Sequence, residues 1–353
     1  MKLNQFPESS RNSASVPYGR SAAHIIPVMT DMGVIDERPH SGVTESLAVQ
    51  VRGLRMAFGG TEVLHGVDFD VRYGEVFCLL GPNGAGKTTT LEILEGFRPP
   101  TAGQVRVLGL DPATHAAKLR ERAGMVLQEC GFPRQARVGE LIEVWRTYYP
   151  NPRPLGDLLE VVELTEVRNT QVRKLSGGQR RRLDFALALA GDPDLVFLDE
   201  PTTGFDPEAR RRCWAAIENL RRLGKTILLT THYLDEAERL ADRIAILRAG
   251  RIELSGTTHE VAIRAGLATR ISFTTPPALR RSQIPPPDGI ELTVSGSEAV
   301  CHTDNAAMTL RVLLAWAGEH CLGDLDGLAV TAPRLEDTYL QLTGVTQGRG
   351  DRT

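Results

Sequence analysis

The octapeptide Gly81-Pro82-Asn83-Gly84-Ala85-Gly86-Lys87-Thr88 constrains this chain more than any other stretch. It satisfies the pattern G-x-x-x-x-G-K-[ST] at every fixed position. Glycines let the backbone wrap a phosphate with its N–H groups turned inward. Lys87 brings a point charge to the β- and γ-phosphates, and the Thr88 hydroxyl suits a Mg²⁺ ligand. The binding stretch runs on to Thr89. A helix starting near Gly86 aims its positive end at the same oxygens. The flanks supply the setting such a loop needs. Val76-Phe77-Cys78-Leu79-Leu80 reads as a buried strand, and Thr88 to Glu95 as the first turns of a helix. Strand, loop and helix in this order predict a nucleoside-triphosphate site within an α/β fold.

A chain of 353 residues has room for two domains. Its 41 basic and 44 acidic residues nearly balance, so no nucleic-acid partner is expected. The runs Arg180-Arg181-Arg182 and Arg210-Arg211-Arg212 read as solvated helix faces. Cys78, Cys130, Cys213, Cys301 and Cys321 are scattered and lack C-x-x-C spacing, which points to reduced thiols instead of disulfides or zinc. No apolar stretch approaches the roughly 20 residues that span a bilayer. Any membrane role must therefore come through a partner.

Residues 1–46 are polar and aperiodic, and are expected to be a disordered extension. The cassette-sized region 47–262 opens with strands: an edge strand at Leu47 to Val51, then Val63 to Val71, Val76 to Leu80, Val105 to Leu108 and Ala123 to Leu127. Helical spacing then takes over, with Val138, Leu141, Ile142, Trp145 and Tyr149 in step, and Leu155 to Leu164 repeating the pattern. This marks a helical insert over about residues 133–190. Strands return at Leu195 to Leu198, Thr226 to Leu229 and Ile244 to Leu247, with helices at Pro207 to Arg222 and Leu234 to Ala241 between them. Such alternation predicts a mainly parallel sheet with helices on its faces. Residues 263–344 read as a small α+β domain. Its strands are Arg270 to Thr274, Ile290 to Val294, Ala299 to His302 and Leu328 to Thr331, with a hairpin turn at Ser295-Gly296-Ser297. Its helices are Ala306 to Ala317 and Leu335 to Leu342. A tail, 345–353, follows.

A second motif ends the run Leu195-Val196-Phe197-Leu198 with Asp199-Glu200. Ligands of open α/β sheets bind beyond the carboxyl ends of strands. Asp199 is thereby placed to hold the Mg²⁺ shell, and Glu200 to polarise a water for in-line attack on the γ-phosphate. A third motif is Leu175-Ser176-Gly177-Gly178-Gln179, in which Ser176 caps a helix whose free N–H groups face outward.

These five residues match the signature of the ATP-binding cassette (ABC) ATPases, and the chain resembles that family over about Leu47 to Ala262. Further family elements follow in order. Phe58 matches the aromatic that stacks on adenine, and Gln128 the glutamine loop with its metal contact. Gly204-Phe205-Asp206 matches the loop after the catalytic carboxylates, with Asp206 in dimer communication, and His232 the switch histidine. Leucine is usual where this chain has Phe205, a departure in packing and not in chemistry. The resemblance implies an α/β P-loop cassette with a mainly parallel core, an antiparallel β edge and a helical subdomain, joined here to a small α+β domain. It implies ATP and Mg²⁺, with Lys87, Glu200 and His232 as the catalytic set.

In that family the signature of one chain closes over the phosphate loop of another. The resemblance therefore implies a homodimer, or a heterodimer with a paralogue. The ending Pro333 to Gly344 is similar to that of exporter ATPases of the daunorubicin-resistance type. Those pair with a separately encoded integral membrane permease at the cytoplasmic face of the cell membrane, and their cargo includes drugs, antibiotics and other amphipathic molecules. A second function class is a non-transport ABC ATPase with a regulatory or translation-related role. Co-purification with a membrane protein separates the two.

Overall fold

The computed structural model describes residues 47–126, 133–275, 284–320, 322 and 324–343. Three adjacent strands carry the chemistry. β3 (Val76–Leu80), β6 (Leu195–Asp199) and β7 (Thr226–Thr231) are buried along their whole length, as parallel strands covered on both faces should be. They belong to a six-stranded sheet in the order β5-β6-β7-β3-β8-β9, completed by β5 (Ala123–Val126), β8 (Arg243–Arg248) and β9 (Arg251–Gly256). Every pairing is parallel except that of β8 with β9. β9 was not expected from the sequence. Its turn places Ala249 at φ 45 and Gly250 at φ 72, the left-handed pair of a tight hairpin.

A three-stranded antiparallel sheet, β2-β1-β4, lies beside this core. β1 (Leu47–Phe58) was expected at an edge but is the central strand, paired with β2 (Thr61–Arg72) on one side and β4 (Ala102–Val107) on the other. Its alternating burial fits either position. Only the distant partner β4 decides between them.

Helices cover the sheet. α1 (Lys87–Leu94) follows β3, and α2 (Pro112–Arg122) precedes β5. The insert holds α3 (Val138–Arg146), α4 (Leu155–Val161) and α5 (Gly177–Ala188). α6 (Pro207–Arg222) and α7 (Leu234–Leu240) alternate with β6, β7 and β8, and α8 (Thr258–Arg264) follows β9. One apolar core joins the insert to the helical face of the main sheet, and Phe205 packs against it from its edge. A second core lies between the two sheets.

The arginine runs are not uniformly solvated. Arg180, Arg211 and Arg212 are exposed, but Arg181 is buried. Three consecutive helical residues sweep about 200° of the wheel, so one of them must turn towards the core.

A third, antiparallel sheet has the order β11-β12-β10-β13, from β10 (Thr269–Thr274), β11 (Leu292–Ser295), β12 (Glu298–Thr303) and β13 (Ala329–Thr331). Ser295 pairs with Glu298 across a two-residue turn in which Gly296 has φ 58. α9 (Ala306–Glu319) packs on this sheet through Leu313, Trp316 and Ala317. The last helix, α10 (Leu335–Thr343), behaves differently. It packs on α7 and α8, and Leu335 sits in the main core of the cassette.

Candidate functional site

The order β6-β7-β3 brings the loops after all three strands together. Leu80 lies level with Thr231, and Asp199 with Thr230. Lys87, Glu200 and His232, far apart in sequence, therefore emerge from neighbouring strand ends.

The phosphate loop needs its glycines for two different reasons. A Cβ on Gly81 would stand 2.2 Å from the carbonyl oxygen of Leu247, so the loop closes on β8 only without a side chain. Gly86 caps α1 at φ 106, and a Cβ there would come within 2.5 Å of Leu64 Cδ2. Between them Pro82 is half-buried, Asn83 and Gly84 are exposed and Ala85 is buried. Ala85 donates its N–H to the Pro82 carbonyl at 3.2 Å, and Gly81 donates to the Thr231 carbonyl at 3.2 Å. The loop is thus tied to β7.

Lys87 is buried, and its ammonium donates to the carbonyls of Gly81 (2.7 Å) and Pro82 (3.1 Å). The same Nζ lies 3.2 Å from Glu200 Oε1. Glu200 is held from several sides. Its backbone is left-handed, φ 44, which turns the side chain out of the strand direction. Its N–H meets the Thr230 hydroxyl at 3.1 Å, and its Oε2 accepts from the Thr203 hydroxyl at 3.0 Å. Burial alone would raise this carboxyl. The Lys87 ammonium, the Thr203 hydroxyl and the charge of His232 outweigh burial and hold it below the usual glutamate range. Glu200 is thereby kept in the form a general base requires.

His232 Nδ1 is 3.2 Å from Glu200 Oε2, without hydrogen-bond alignment, and the imidazole rests against the Tyr233 ring. Asp199 is buried and accepts from the Thr230 hydroxyl at 2.7 Å. The Thr88 hydroxyl lies 3.5 Å from the same Asp199 oxygen. Thr88 and Asp199 thus converge as hard oxygen donors, a pair that suits Mg²⁺ sharing its shell with phosphate and water. Thr89 is half-buried in the first turn of α1. Gln128 lies outside the described residues. Thr230 and Thr203 were given no role from the sequence, although Thr230 links Asp199 to the Glu200 backbone.

Phe58 ends β1 with 38% of its surface exposed, and the Arg98 guanidinium sits 4.7 Å from its ring centroid. A half-open aromatic at this place is able to stack on a base.

The signature is presented elsewhere. Ser176 caps α5, its Oγ accepting from Gln179 N–H at 3.2 Å while the Gln179 side chain accepts from Ser176 N–H at 3.0 Å. Ser176 and Gly177 are exposed, Gly178 and Gln179 half-exposed, and Leu175 anchors the turn in the core. Behind it, Arg181 and Asp184 are buried together at 3.4 Å. Burial pushes the Asp184 carboxyl up to about 6, against the opposing pull of Arg181. α5 packs on α6, β5 and α3, whereas α1 packs on α2, β4 and β6. Asp206 caps α6, accepting from the N–H groups of Glu208 (2.9 Å) and Ala209 (2.8 Å).

The chain as a whole is similar to known proteins. Residues 64–203 match the family described as ABC transporter, and residues 269–333 match one described as ABC transporter domain-containing protein-like, C-terminal domain. Nod factor export ATP-binding protein I of Ralstonia nicotianae is 37% identical over 316 residues, covering 88% of this chain and 98% of that protein. A solved ATP-binding subunit of an ABC transporter superposes with a TM-score of 0.56 at 27% identity, over 62% of this chain and 93% of that one. A dimeric post-hydrolysis ATP-binding cassette bound to ADP and phosphate gives a TM-score of 0.52 at 25% identity, over 59% of this chain and 98% of that one.

Proposed function

The chain belongs to the ATP-binding subunits of ABC transporters and is an ATPase, and from that premise we propose that two copies close around ATP to drive export through a separate membrane permease. The observation that carries the reading is the meeting of Lys87, Asp199, Glu200 and His232 at three adjacent strand ends. Lys87 and the loop amides neutralise the phosphates, and Phe58 stacks on adenine. Glu200 takes a proton from the attacking water, and His232 holds the γ-phosphate side of the site. Thr88 and Asp199 would hold Mg²⁺, with Gln128 as a further ligand, and the bound ion would supply charge neutralisation at the phosphates.

The signature supports a site shared between chains. Ser176 and Gly177 are exposed at the capped start of α5, and a helix N-terminus suits an anion. Asp206, at the head of α6, stands after the Glu200 loop, where it would report the neighbour's closure. A homodimer gives two equivalent sites, and a heterodimer with a paralogue fits the same geometry.

No helix among the described residues is long and apolar enough to cross a membrane. By its likeness to exporter ATPases, the chain would act at the cytoplasmic face of the cell membrane, docked on its permease. Two likenesses favour outward transport: the ending Pro333 to Gly344, and the relative named for Nod factor export. The cargo class is an amphipathic molecule, with drugs and antibiotics as the first candidates.

The test uses inverted membrane vesicles carrying this chain and the permease that co-purifies with it. ATP-dependent accumulation of a fluorescent amphipathic drug is expected, and it should stop with Glu200→Gln. Accumulation that continues undiminished in that variant would refute the reading.

A further inference from the structure

Glu236 has no place in the chemistry described above, yet none of its surface reaches solvent. It stands in the first turn of α7, four residues after His232. Its Oε1 accepts two hydrogen bonds: from the Thr202 hydroxyl at 2.9 Å and from the Trp214 indole N–H at 3.0 Å. Thr202 is itself fully buried and follows Glu200 by two residues, and Trp214 lies on α6. The second oxygen, Oε2, makes no hydrogen bond of its own. Burial raises this carboxyl, while the hydroxyls of Thr231 and Thr202 and the Trp214 indole pull the other way.

Burying a carboxyl is costly unless its interactions repay the loss of water. Here they join three segments that the reaction must keep in register. Thr202 belongs to the loop that carries Glu200. Glu236 itself stands on α7, four residues after His232. Trp214 is on the helix headed by Asp206. The Glu200 turn also carries local bonds: Glu200 N–H to Thr230, Thr203 N–H to the Glu200 carbonyl at 3.2 Å and Phe205 N–H to the Thr202 carbonyl at 3.1 Å. From α6 the Cys213 thiol reaches the Pro201 carbonyl at 3.7 Å. To these Glu236 adds a side-chain tie from the turn to α7.

We propose that Glu236 is a positioning residue for hydrolysis: its buried carboxyl clamps Thr202 to Trp214 and fixes the Glu200 turn against the segment bearing His232. The inference rests on the role given to Glu200 above. Glu236 is fully buried. It acts through Thr202, so its loss should slow turnover and leave ATP binding intact, because its hydrogen bonds go to Thr202 and Trp214.

The experiment measures single-turnover hydrolysis of bound ATP, and ATP affinity, in the full chain. Thr202→Val removes the donor while keeping the shape. It should lower the hydrolysis rate by about tenfold or more, since small misplacements of a reacting group are costly, with the ATP Kd within twofold of wild type. Glu236→Ala should do the same, and the double variant should be no worse than either single one. Glu236→Gln keeps an oxygen for both donors and should restore most of the rate. A Thr202→Val rate within twofold of wild type overturns the proposal, even if Glu236→Ala does not fold. So does a Glu236→Gln variant as slow as Glu236→Ala. Glu200→Gln run in parallel separates the two claims. If it hydrolyses ATP normally, the role of Glu200 fails. If it is inactive and Thr202→Val is normal, only the clamp fails.

Discussion

Lys87 and Glu200, carried by the loops after β3 and β6, meet as an ion pair with Nζ 3.2 Å from Oε1. The lysine that should greet the γ-phosphate is also the main charge holding Glu200 ionised. ATP and Glu200 thus compete for one ammonium. Glu200→Gln removes a competitor for Lys87 as well as the base. ATP affinity should be unchanged or tighter, while steady-state hydrolysis falls by about 10²–10⁴, the usual contribution of a general base. Equilibrium titration with a fluorescent ATP analogue, set beside phosphate release, checks both halves. A variant with normal turnover would remove Glu200 from the mechanism.

The same pair predicts a pH dependence of stability. Glu200 sits below its ordinary value of 4.5 in the folded chain. A carboxyl depressed by folding adds stability that is fully present above the ordinary value and is lost as pH falls through the folded one. Urea melts of wild type and Glu200→Gln should differ by a constant amount from neutral pH down to about pH 5, and draw together as pH falls below the ordinary value of 4.5 and through the lower folded one. In a Lys87→Ala background this pH-dependent part of the difference should shrink, because the ammonium that holds the carboxyl down against burial is gone.

How much of this was readable in the sequence depends on range. The phosphate loop, Asp199, Glu200 and Ser176 are local patterns whose backbone demands are written in adjacent residues. α6 over Pro207–Arg222 announces itself through the Asp206 cap and a proline in the first turn. The central position of β1 did not, because it depends on β4, about fifty residues away. β9 escaped because its turn is Ala249-Gly250 in place of the usual Asn-Gly, so a non-glycine residue sits at positive φ. Arg181 and Glu236 escaped for a related reason. Helical spacing puts Arg181 and Asp184 one turn apart on the same face of α5, but it does not tell that this face turns into the core, nor that Trp214 waits opposite Glu236. The helix at Leu335 was legible as a helix, whereas its seat on α7 and α8 was not.

Two glycines of the loop should respond unequally to the same substitution. Gly81→Ala drives a Cβ to 2.2 Å from a backbone oxygen of β8, which has no flexible end to yield. Gly84 has φ +81 and open space around it, so Gly84→Ala meets strain alone, about 1–2 kcal/mol. Gly81→Ala should therefore abolish ATP binding or folding. Gly84→Ala should give a folded chain with lowered midpoint and weakened ATP binding. Equal behaviour of the two in thermal melts would contradict the close packing on Leu247.

Mixing variants tests whether each site is shared. Lys87→Ala disables a phosphate loop, and Ser176→Arg disables a signature by filling the exposed turn before α5. Either homodimer should be inactive. When the two are mixed, a shared site predicts that one of the two sites in each mixed dimer collects both defects and the other none. Hydrolysis should then reappear in the mixture, at up to about half of wild type per mixed dimer if the sites fire independently. A mixture as inactive as its components would show that Ser176 and Lys87 do not serve each other across chains, or that these chains do not pair.

The last helix offers a stability test that separates the C-terminal sheet from the cassette. Leu335 is 1% exposed and shares the core that contains Ala237, Leu240 and Val261. Its side chain therefore fastens α10 to the cassette, although the chain has just left the small sheet at β13. Leu335→Ala should cost about 2–5 kcal/mol, the range for truncating a buried leucine. The loss should appear in the melting of the cassette, because the vacated volume opens beside α7 and α8. α7 begins two residues after His232, so ATP hydrolysis should weaken along with stability. Differential scanning calorimetry resolves the outcome. A lowered cassette transition supports the packing, whereas an unchanged one with only the small sheet destabilised would place Leu335 in the wrong core.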